Sequence, residues 1–411
     1  MSGALGPERF VELRRQAADV VARDVASEDA PARERCRQLV DVERRFLERL
    51  DELRRDVLSE VADAGAETSS DECSLSAEQL TGYLRRKLPR SPELVVTALE
   101  AVPGGRSKET ILVSLAGTTE LPGEVIVRKD RPVGVLQTRA AEEFAVLEAV
   151  HAHGGIPVPR PFFADEPDDE LGPGTLLVME RVSGSKAGEY FPELAAPTEH
   201  RRTLGRQFAV ALAHLHAVPL DDLGDTGLDR DAEVTTATIT AALEGMSARI
   251  GELGGPPIAA VPLARQWLLD HVDNVVPSGP LSLLQGDVGL HNMLVDGDHI
   301  TALVDWEAAT IGPPARELAA AWPAATALSG WPDFVEAYVA AGGPSAATHN
   351  RAVTYYRVFF ALGACTSSRT GGHLFRTGAK RDLVTAHSGL DAHFRAQRNL
   401  ARALEDAHAL G

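Results

Sequence analysis

Three oxygen-bearing side chains within residues 283–307 have the types and spacing of a site for a hard metal ion. Asp287 follows an apolar run and a glycine, and Asn292 comes five residues later. Two short apolar stretches around the turn signal of residues 296–298 then predict a β-hairpin that ends before Asp305. Such a hairpin brings Asn292 and Asp305 level at one end, with Asp287 on the loop before it. Carboxylate and amide oxygens are the ligands that Mg²⁺ prefers, usually together with substrate phosphates.

This order resembles the catalytic core of the aminoglycoside-phosphotransferase-like kinases. Their pattern is His-Gly-Asp, four residues, Asn, a short hairpin and then Asp-Trp/Phe-Glu/Gly, and it is related to the catalytic loop of protein kinases. The resemblance implies that Asp287 orients the substrate hydroxyl and accepts its proton. It also implies that Asn292 and Asp305 hold Mg²⁺.

Three positions depart from the family pattern. Gln285 stands where the family has the leading His, Pro313 replaces the first Asp of the segment after the hairpin, and Glu317 replaces the second. The family His is not the proton acceptor, so Gln285 affects the geometry of the loop more than the chemistry. Pro313 alters the local support of the metal loop.

Composition and charge restrict the partners. The chain has 411 residues, 44% of them hydrophobic, and a formal net charge of -18, which argues against nucleic acid or an anionic membrane as the main partner. No apolar run approaches the roughly 20 residues that a membrane span needs. Three widely separated cysteines and an N-terminus without a signal-peptide pattern favour reduced thiols and a cytoplasmic location.

A glycine-rich segment between two predicted strands is the candidate phosphate-binding turn. The first strand runs to about residue 102, residues 103–110 intervene, and the next strand begins at Ile111. A small turn of this kind lets backbone N–H groups approach phosphates closely. The family has its phosphate-covering loop here, which makes Gly105 and Ser107 candidate nucleotide-binding residues.

A cation and a glutamate follow in the order that the resemblance requires. Arg128 and Lys129 lie on opposite faces of the next predicted strand. The subgroup linked to acyl-CoA dehydrogenases, which the sequence is most similar to, commonly has Arg as the phosphate-gripping cation, so we choose Arg128. The helix predicted over residues 138–153 carries its partner Glu143, with Glu142 as the second choice. The alternative is that these cations only protect an edge strand from aggregation.

The candidate purine site is the segment at the end of the last predicted strand, near residues 179–181, which follows a proline-rich stretch. Residues 156–161 carry spaced prolines that keep the chain extended. Two further strands follow, and the resemblance implies that backbone groups of Met179, Glu180 and Arg181 bind the purine edge.

Helical patterns fill most of the remaining chain. Residues 7–65 form an amphipathic extension that packs on the main body or, alternatively, forms a homodimer or binds a partner. Later helices are predicted at about 202–217, 231–252, 258–275, 331–341, 345–369 and 376–409. Basic side chains of the last two could grip an anionic acceptor or could be ordinary helix surface.

Taken together, the resemblance implies an α+β, bilobal protein-kinase-like fold. A helical extension (residues 1–90) precedes a small antiparallel-sheet N-lobe (91–183) and a larger helical C-lobe (184–411). The expected activity is transfer of the γ-phosphoryl group of ATP or GTP, with Mg²⁺, to a hydroxyl of a small molecule such as a hydroxyacyl-CoA, an amino sugar or another antibiotic. The alternative is a catalytically inactive kinase-like protein that binds nucleotide or ligand.

Overall fold

The protein is represented by a computed structural model that describes residues 34, 37–38, 40–41, 73–102, 108–130, 139–165, 171–172, 174–190, 192, 197–230, 233–254, 258–275, 280–379 and 383–409. The predicted extension over residues 7–65 lies almost entirely outside these ranges, and the five residues of it that are described are helical. Gly105 and Ser107 also lie outside the described residues.

The helices and strands follow one another in chain order: α1 (Ala77–Lys87), β1 (Val95–Ala101), β2 (Lys108–Ala116), β3 (Glu124–Asp130), α2 (Ala140–His153), β4 (Pro161–Asp165), β5 (Leu176–Glu180), β6 (Ser185–Lys186), α3 (Glu199–His216), α4 (Thr236–Glu252), α5 (Ala260–Asp270), β7 (Ser282–Leu284), β8 (Met293–Asp296), β9 (His299–Leu303), β10 (Thr310–Gly312), α6 (Pro314–Leu328), α7 (Trp331–Ala340), α8 (Asn350–Thr377) and α9 (Leu383–Ala409).

The chain divides into two compact units. The sheet unit consists of Thr68–Ala232 and Gly279–Thr348, and the helical unit consists of Met1–Glu67, Glu233–Ser278 and His349–Gly411. The sequence-based boundaries after residues 90 and 183 stay a prediction. Among the described residues, no helix has both the length and the apolar content that a membrane span demands.

An antiparallel sheet with the strand order β1-β2-β3-β5-β4 forms one half of the sheet unit. Helix α1 begins with a capping box, in which Ser76 and Gln79 each bond the other's backbone N–H. Its Leu80 and Leu84 are buried in the same hydrophobic core as the sheet.

Strand β2 begins three residues earlier than the sequence predicted. The sequence analysis assigned residues 103–110, including Lys108, to the segment between the two strands. In the structure Lys108 is paired with Asp130 in the β2–β3 ladder, and its side chain is completely buried. The carboxylates of Glu307 and Glu143 compensate that charge, so the strand extends to this residue.

The catalytic loop and the hairpin form the second part of the sheet unit. Strands β8 and β9 are the predicted hairpin, and β6 adds a third strand along β8. Strands β7 and β10 form a separate antiparallel pair. In the sequence, β7 comes before the catalytic loop and β10 comes after the β8–β9 hairpin. The sequence prediction missed β6, β7 and β10 because two or three residues are too few for an alternating pattern.

The helical unit contains α4, α5, α8 and α9. The sequence predicted a helix break over residues 370–375, where Gly371 and Gly372 are adjacent. Helix α8 instead continues to Thr377 and ends at Gly378, whose φ is 77°. A Cβ on Gly389 would lie 2.4 Å from the Cα of Gly372, so these glycines permit α8 and α9 to approach closely.

Candidate active site

The β8–β9 hairpin places Asn292 and Asp305 beside each other. Met293 pairs with Leu303, and the amide of Val304 donates to the carbonyl of Asn292 at 2.9 Å. Asn292 directly precedes Met293, and Asp305 directly follows Val304, so the two candidate metal ligands lie at the same end of the hairpin, as the sequence predicted.

Asp287 and Asn292 are joined by hydrogen bonds. The Nδ2 of Asn292 donates to the backbone carbonyl of Asp287 at 2.9 Å and to its Oδ2 at 3.0 Å. Asn292 is buried, whereas the Asp287 side chain is 39% exposed. Because the side-chain nitrogen of Asn292 points to Asp287, the Oδ1 of Asn292 is turned away from Asp287 and can bind a cation.

His291 is a second neighbour of the Asp287 carboxylate, and sequence reasoning missed it. Its Nε2 lies 3.2 Å from Oδ2 of Asp287, and its ring centroid lies 4.7 Å from that of Tyr190. Oδ2 of Asp287 thus receives two donors from the protein. The other oxygen, Oδ1, is the one suited to accept a proton from a substrate.

Gln285 connects the loop of Asp287 to the backbone of the metal loop. Its Nε2 donates to the carbonyls of Val304 at 2.9 Å and Asp305 at 2.6 Å, and its Oε1 accepts from the amide of Asp287 at 2.9 Å. Asp305 has φ 65°, the one positive φ among the described non-glycine residues. Gln285 therefore holds both loops and supports a backbone conformation that costs free energy.

A buried network holds the glycine before Asp287. Gly286 has φ 87°, and a Cβ there would lie 2.1 Å from the carbonyl oxygen of Ala308, so only glycine fits. Its amide donates to Oε1 of Glu317 at 2.9 Å. The Nε2 of His216 donates to the other Glu317 oxygen at 3.1 Å, and Nδ1 of His216 lies 2.7 Å from the Tyr338 hydroxyl. Glu317, which replaces a family Asp, is thus tied to the catalytic loop.

Arg128 bridges the predicted glutamate and the predicted metal ligand. Its Nη1 donates to Oε1 of Glu143, and its Nη2 donates to Oδ1 of Asp305 at 3.0 Å. Burial alone would lower the pKa of Arg128, but the carboxylates of Glu143, Asp305 and Glu307 raise it above its ordinary value, so the guanidinium is charged. Burial raises the pKa of Glu143 from 4.5 to about 7, and the cations Arg128 and Lys108 oppose this shift.

Lys108 is a second buried cation that the sequence prediction did not include. Its Nζ lies 2.7 Å from Oε2 of Glu307 and 3.9 Å from Oε2 of Glu143. Its place directly after the glycine-rich turn was the available signal. Lys129, by contrast, donates to the carbonyl of Leu171.

The predicted purine-binding segment lies at the end of β5. Met179 is buried and paired with Ile126, and the amide of Glu180 donates to the carbonyl of Arg160 at 2.8 Å. A purine would therefore use other backbone groups of this segment. Arg181 forms an exposed ion pair with Glu124.

No three His, Cys, Asp or Glu side chains converge as a metal site among the residues that the structure describes. Oδ1 of Asn292 and the Asp305 carboxylate, which is 33% exposed, remain as an oxygen pair on one hairpin end. This donor set fits Mg²⁺, which is commonly held by one or two carboxylates with substrate phosphates completing its shell.

The sheet with its buried cation–glutamate pair and the Asp-Asn-Asp loop define a kinase-like α+β fold. A profile of the phosphotransferase enzyme family (APH) matches residues 98–353, more than half of the sequence. The chain belongs to this family.

Solved structures of phosphotransferases have the same fold. Wild-type aminoglycoside 2'-phosphotransferase-IIIa in complex with GDP shares 16% identity, covers 77% of this chain and 98% of its own, and has a TM-score of 0.54. Macrolide 2'-phosphotransferase MphH from Brachybacterium faecium shares 22% identity, with 75% and 97% coverage and a TM-score of 0.51. A thermostable mutant of aminoglycoside phosphotransferase APH(4)-Ia, with ADP and hygromycin B bound, shares 17% identity, with 79% and 98% coverage and a TM-score of 0.52. These identities bear on the fold alone.

Proposed function

We propose that the protein is a Mg²⁺-dependent small-molecule kinase that transfers the γ-phosphoryl group of ATP or GTP to an acceptor hydroxyl. The observation that carries the proposal is the arrangement of Asp287, Asn292 and Asp305. The partly exposed carboxylate of Asp287 is oriented by the side-chain nitrogen of Asn292. The side-chain oxygen of Asn292 remains for a metal ion at the end of the hairpin where the Asp305 carboxylate also lies.

In the proposed reaction Asp287 accepts the proton of the acceptor hydroxyl through Oδ1. The acceptor oxygen forms a bond to the γ-phosphorus while the bond to the bridging oxygen breaks, and the nucleoside diphosphate leaves. Asn292 and Asp305 would hold Mg²⁺, which supplies charge neutralisation for the phosphates. Gln285 and Glu317 keep the loop in place, so most of the catalysis is positioning.

The nucleotide is proposed to bind at the sheet, with backbone groups near Met179, Glu180 and Arg181 at the purine. Residues around Gly105 and Ser107 are proposed to cover the phosphates, near Arg128. The fold neighbours crystallised with GDP and with ADP support either purine, so both ATP and GTP should be tested.

The acceptor is proposed to be a small-molecule alcohol from one of two classes. Hygromycin B is bound to one fold neighbour, and another acts on macrolides. Arg128 and the Asp-Trp-Glu run of residues 305–307 resemble instead the subgroup whose acceptors are hydroxyacyl thioesters. Several basic side chains that could grip such an anion already contact the protein. Arg357 pairs with Asp406, and Arg369 donates to the carbonyl of Ile250.

The test is a transfer screen with γ-labelled ATP and GTP against amino sugars, macrolides, hydroxyacyl-CoAs and amino alcohols, with and without Mg²⁺. We expect Mg²⁺-dependent label in one acceptor class, and loss of label in Asp305→Asn. Nucleotide binding by thermal shift without Mg²⁺, with no transfer to any acceptor and no phosphate release, would instead indicate an inactive kinase-like binding protein.

A further inference from the structure

Four buried side chains form a closed ring of alternating charge. Going round it, Arg128 contacts Glu143, whose Oε2 is 3.9 Å from the Nζ of Lys108. Lys108 is 2.7 Å from Oε2 of Glu307, which is 3.7 Å from the Nη2 of Arg128. Each charged group therefore has an opposite charge within 4 Å on both sides, and none of the four is more than 9% exposed.

The charges of the four ring side chains cancel, and the negative charge of Asp305 is additional to them. Above the pKa of about 7 that burial gives Glu143, both carboxylates are ionised, two cations face them, and the four side chains sum to zero. Asp305 also contacts Arg128, but it is 33% exposed and is the carboxylate that the ring leaves in excess. Glu307 is only two residues from Asp305 and is a carboxylate too. Its Oε2 is occupied by two cations, whereas Asp305 contacts one through Oδ1.

We propose that Lys108 is a positioning residue of the metal site, which neutralises Glu307 and so leaves Asp305 as the one carboxylate ligand of the metal. The inference rests on the proposed function, because a metal at Asn292 and Asp305 is part of it. A buried carboxylate without a cation is costly and seeks another partner. Without Lys108, Glu307 keeps only Arg128 at 3.7 Å, and that guanidinium also pairs with Glu143 and Asp305, so a divalent ion beside Asp305 is the further cation that Glu307 would attract.

The decisive measurement is Mn²⁺ affinity, read from the paramagnetic resonance of free Mn²⁺. The full chain is titrated at about pH 8, above the pKa of Glu143, with saturating ADP or GDP, whichever raises its melting temperature, and the nucleotide alone is the blank. Lys108→Met should bind Mn²⁺ about tenfold more tightly, because loss of the lysine leaves the ring with one negative charge in excess, which attracts the ion. Glu307→Gln should bind it several-fold more weakly, because the ring then has one positive charge in excess near the metal.

The double variant Lys108→Met/Glu307→Gln separates charge balance from metal ligation. It restores the neutrality of the ring, so its Mn²⁺ affinity should return to within about twofold of the wild type. Lys108→Arg keeps the charge and should also bind like the wild type. Lys87→Met is the matched control, since Lys87 pairs with Asp165 at the surface, and it should change nothing.

Either of two results would overturn the inference. Mn²⁺ binding by Lys108→Met that is equal to or weaker than wild type would show that the lysine does not restrain Glu307. A double variant about tenfold weaker than wild type would make Glu307 a metal ligand in its own right. If Lys108→Met does not fold, the double variant and Glu307→Gln still decide. If the wild type transfers phosphate but the variants do not show these Mn²⁺ affinities, the inference alone is refuted. If the wild type neither binds Mn²⁺ nor transfers phosphate, the proposed function is refuted as well.

Discussion

The side-chain amide of Gln285 reaches the backbone carbonyl of Asp305, with its Nε2 at 2.6 Å from that oxygen. The same side chain also binds the amide of Asp287 and the carbonyl of Val304. A neutral histidine has one donor and one acceptor nitrogen, so it could not make all three bonds. The departure from the family His thus adds a bond between the catalytic and metal loops.

Replacement of Gln285 should lower turnover more than it lowers stability. Gln285→Leu removes all three bonds, and the resulting misplacement of Asp287 against Asp305 should reduce kcat by roughly 10²-fold. Gln285→His retains one donor and one acceptor, so its loss should be smaller. Protonation of that histidine removes the acceptor for the Asp287 amide, so its activity should fall further on acidification below about pH 6.5. Equal kcat for wild type and Gln285→Leu would contradict this role.

Arg128 should not be replaceable by lysine. A guanidinium can place two nitrogens against the carboxylates of Glu143 and Asp305 at once, whereas an ammonium is a compact point charge. Arg128→Lys should therefore reduce kcat/KM by roughly tenfold or more, a loss of about 1.4 kcal/mol of transition-state stabilisation. Arg181→Lys, in an exposed pair with Glu124, is the control and should leave kcat/KM unchanged. Wild-type kinetics in Arg128→Lys would show that the fork geometry is not used.

The His216–Glu317 pair should contribute to stability and to the position of the loop. His216→Phe leaves Glu317 and the Tyr338 hydroxyl buried without this partner, which should cost roughly 1–3 kcal/mol in the free energy of unfolding. Denaturant unfolding measures this loss. His299→Phe, at an exposed site in the hairpin, should change it little. A His216→Phe protein as stable as wild type would exclude a net contribution from the network.

Glu143 should make stability depend on pH. Its pKa is raised by burial to about 7, so the folded state binds this proton more tightly than the unfolded chain does. The resulting stabilisation is complete below the ordinary value of 4.5 and is lost as pH rises through about 7. The stability of the wild type relative to Glu143→Gln should therefore decrease between those two values. A constant difference across this range would show that Glu143 does not titrate there.

The local part of the site could be predicted from the sequence, because its spacing is set by one loop and one hairpin. Asp287, Asn292 and Asp305 lie within a segment whose turn and strands are readable from residue types. The order of elements in the family pattern added Arg128 and Glu143. The predicted kinase-like fold is confirmed by the family match and by the fold neighbours.

Long-range contacts were not predictable from residue patterns. Lys108 and Glu307 are 199 positions apart, and a charged residue after a glycine-rich turn looks like part of the turn. The pairing of His291 with Asp287 depends on side-chain direction within a short 3₁₀ turn. Gly371 and Gly372 resemble a helix break, but their small size serves helix packing instead.

The central claim is that Asp287 is the proton acceptor of a phosphoryl transfer. The most direct test is the single-turnover rate at which label passes from γ-labelled nucleotide to the acceptor found in the screen. Asp287→Ala should reduce this rate by ~10²–10⁴-fold while the protein keeps its nucleotide affinity and its melting temperature. The control is Asp298→Asn, which changes an exposed carboxylate in the turn of the β8–β9 hairpin and should transfer at the wild-type rate. Transfer by Asp287→Ala at the wild-type rate would contradict the account.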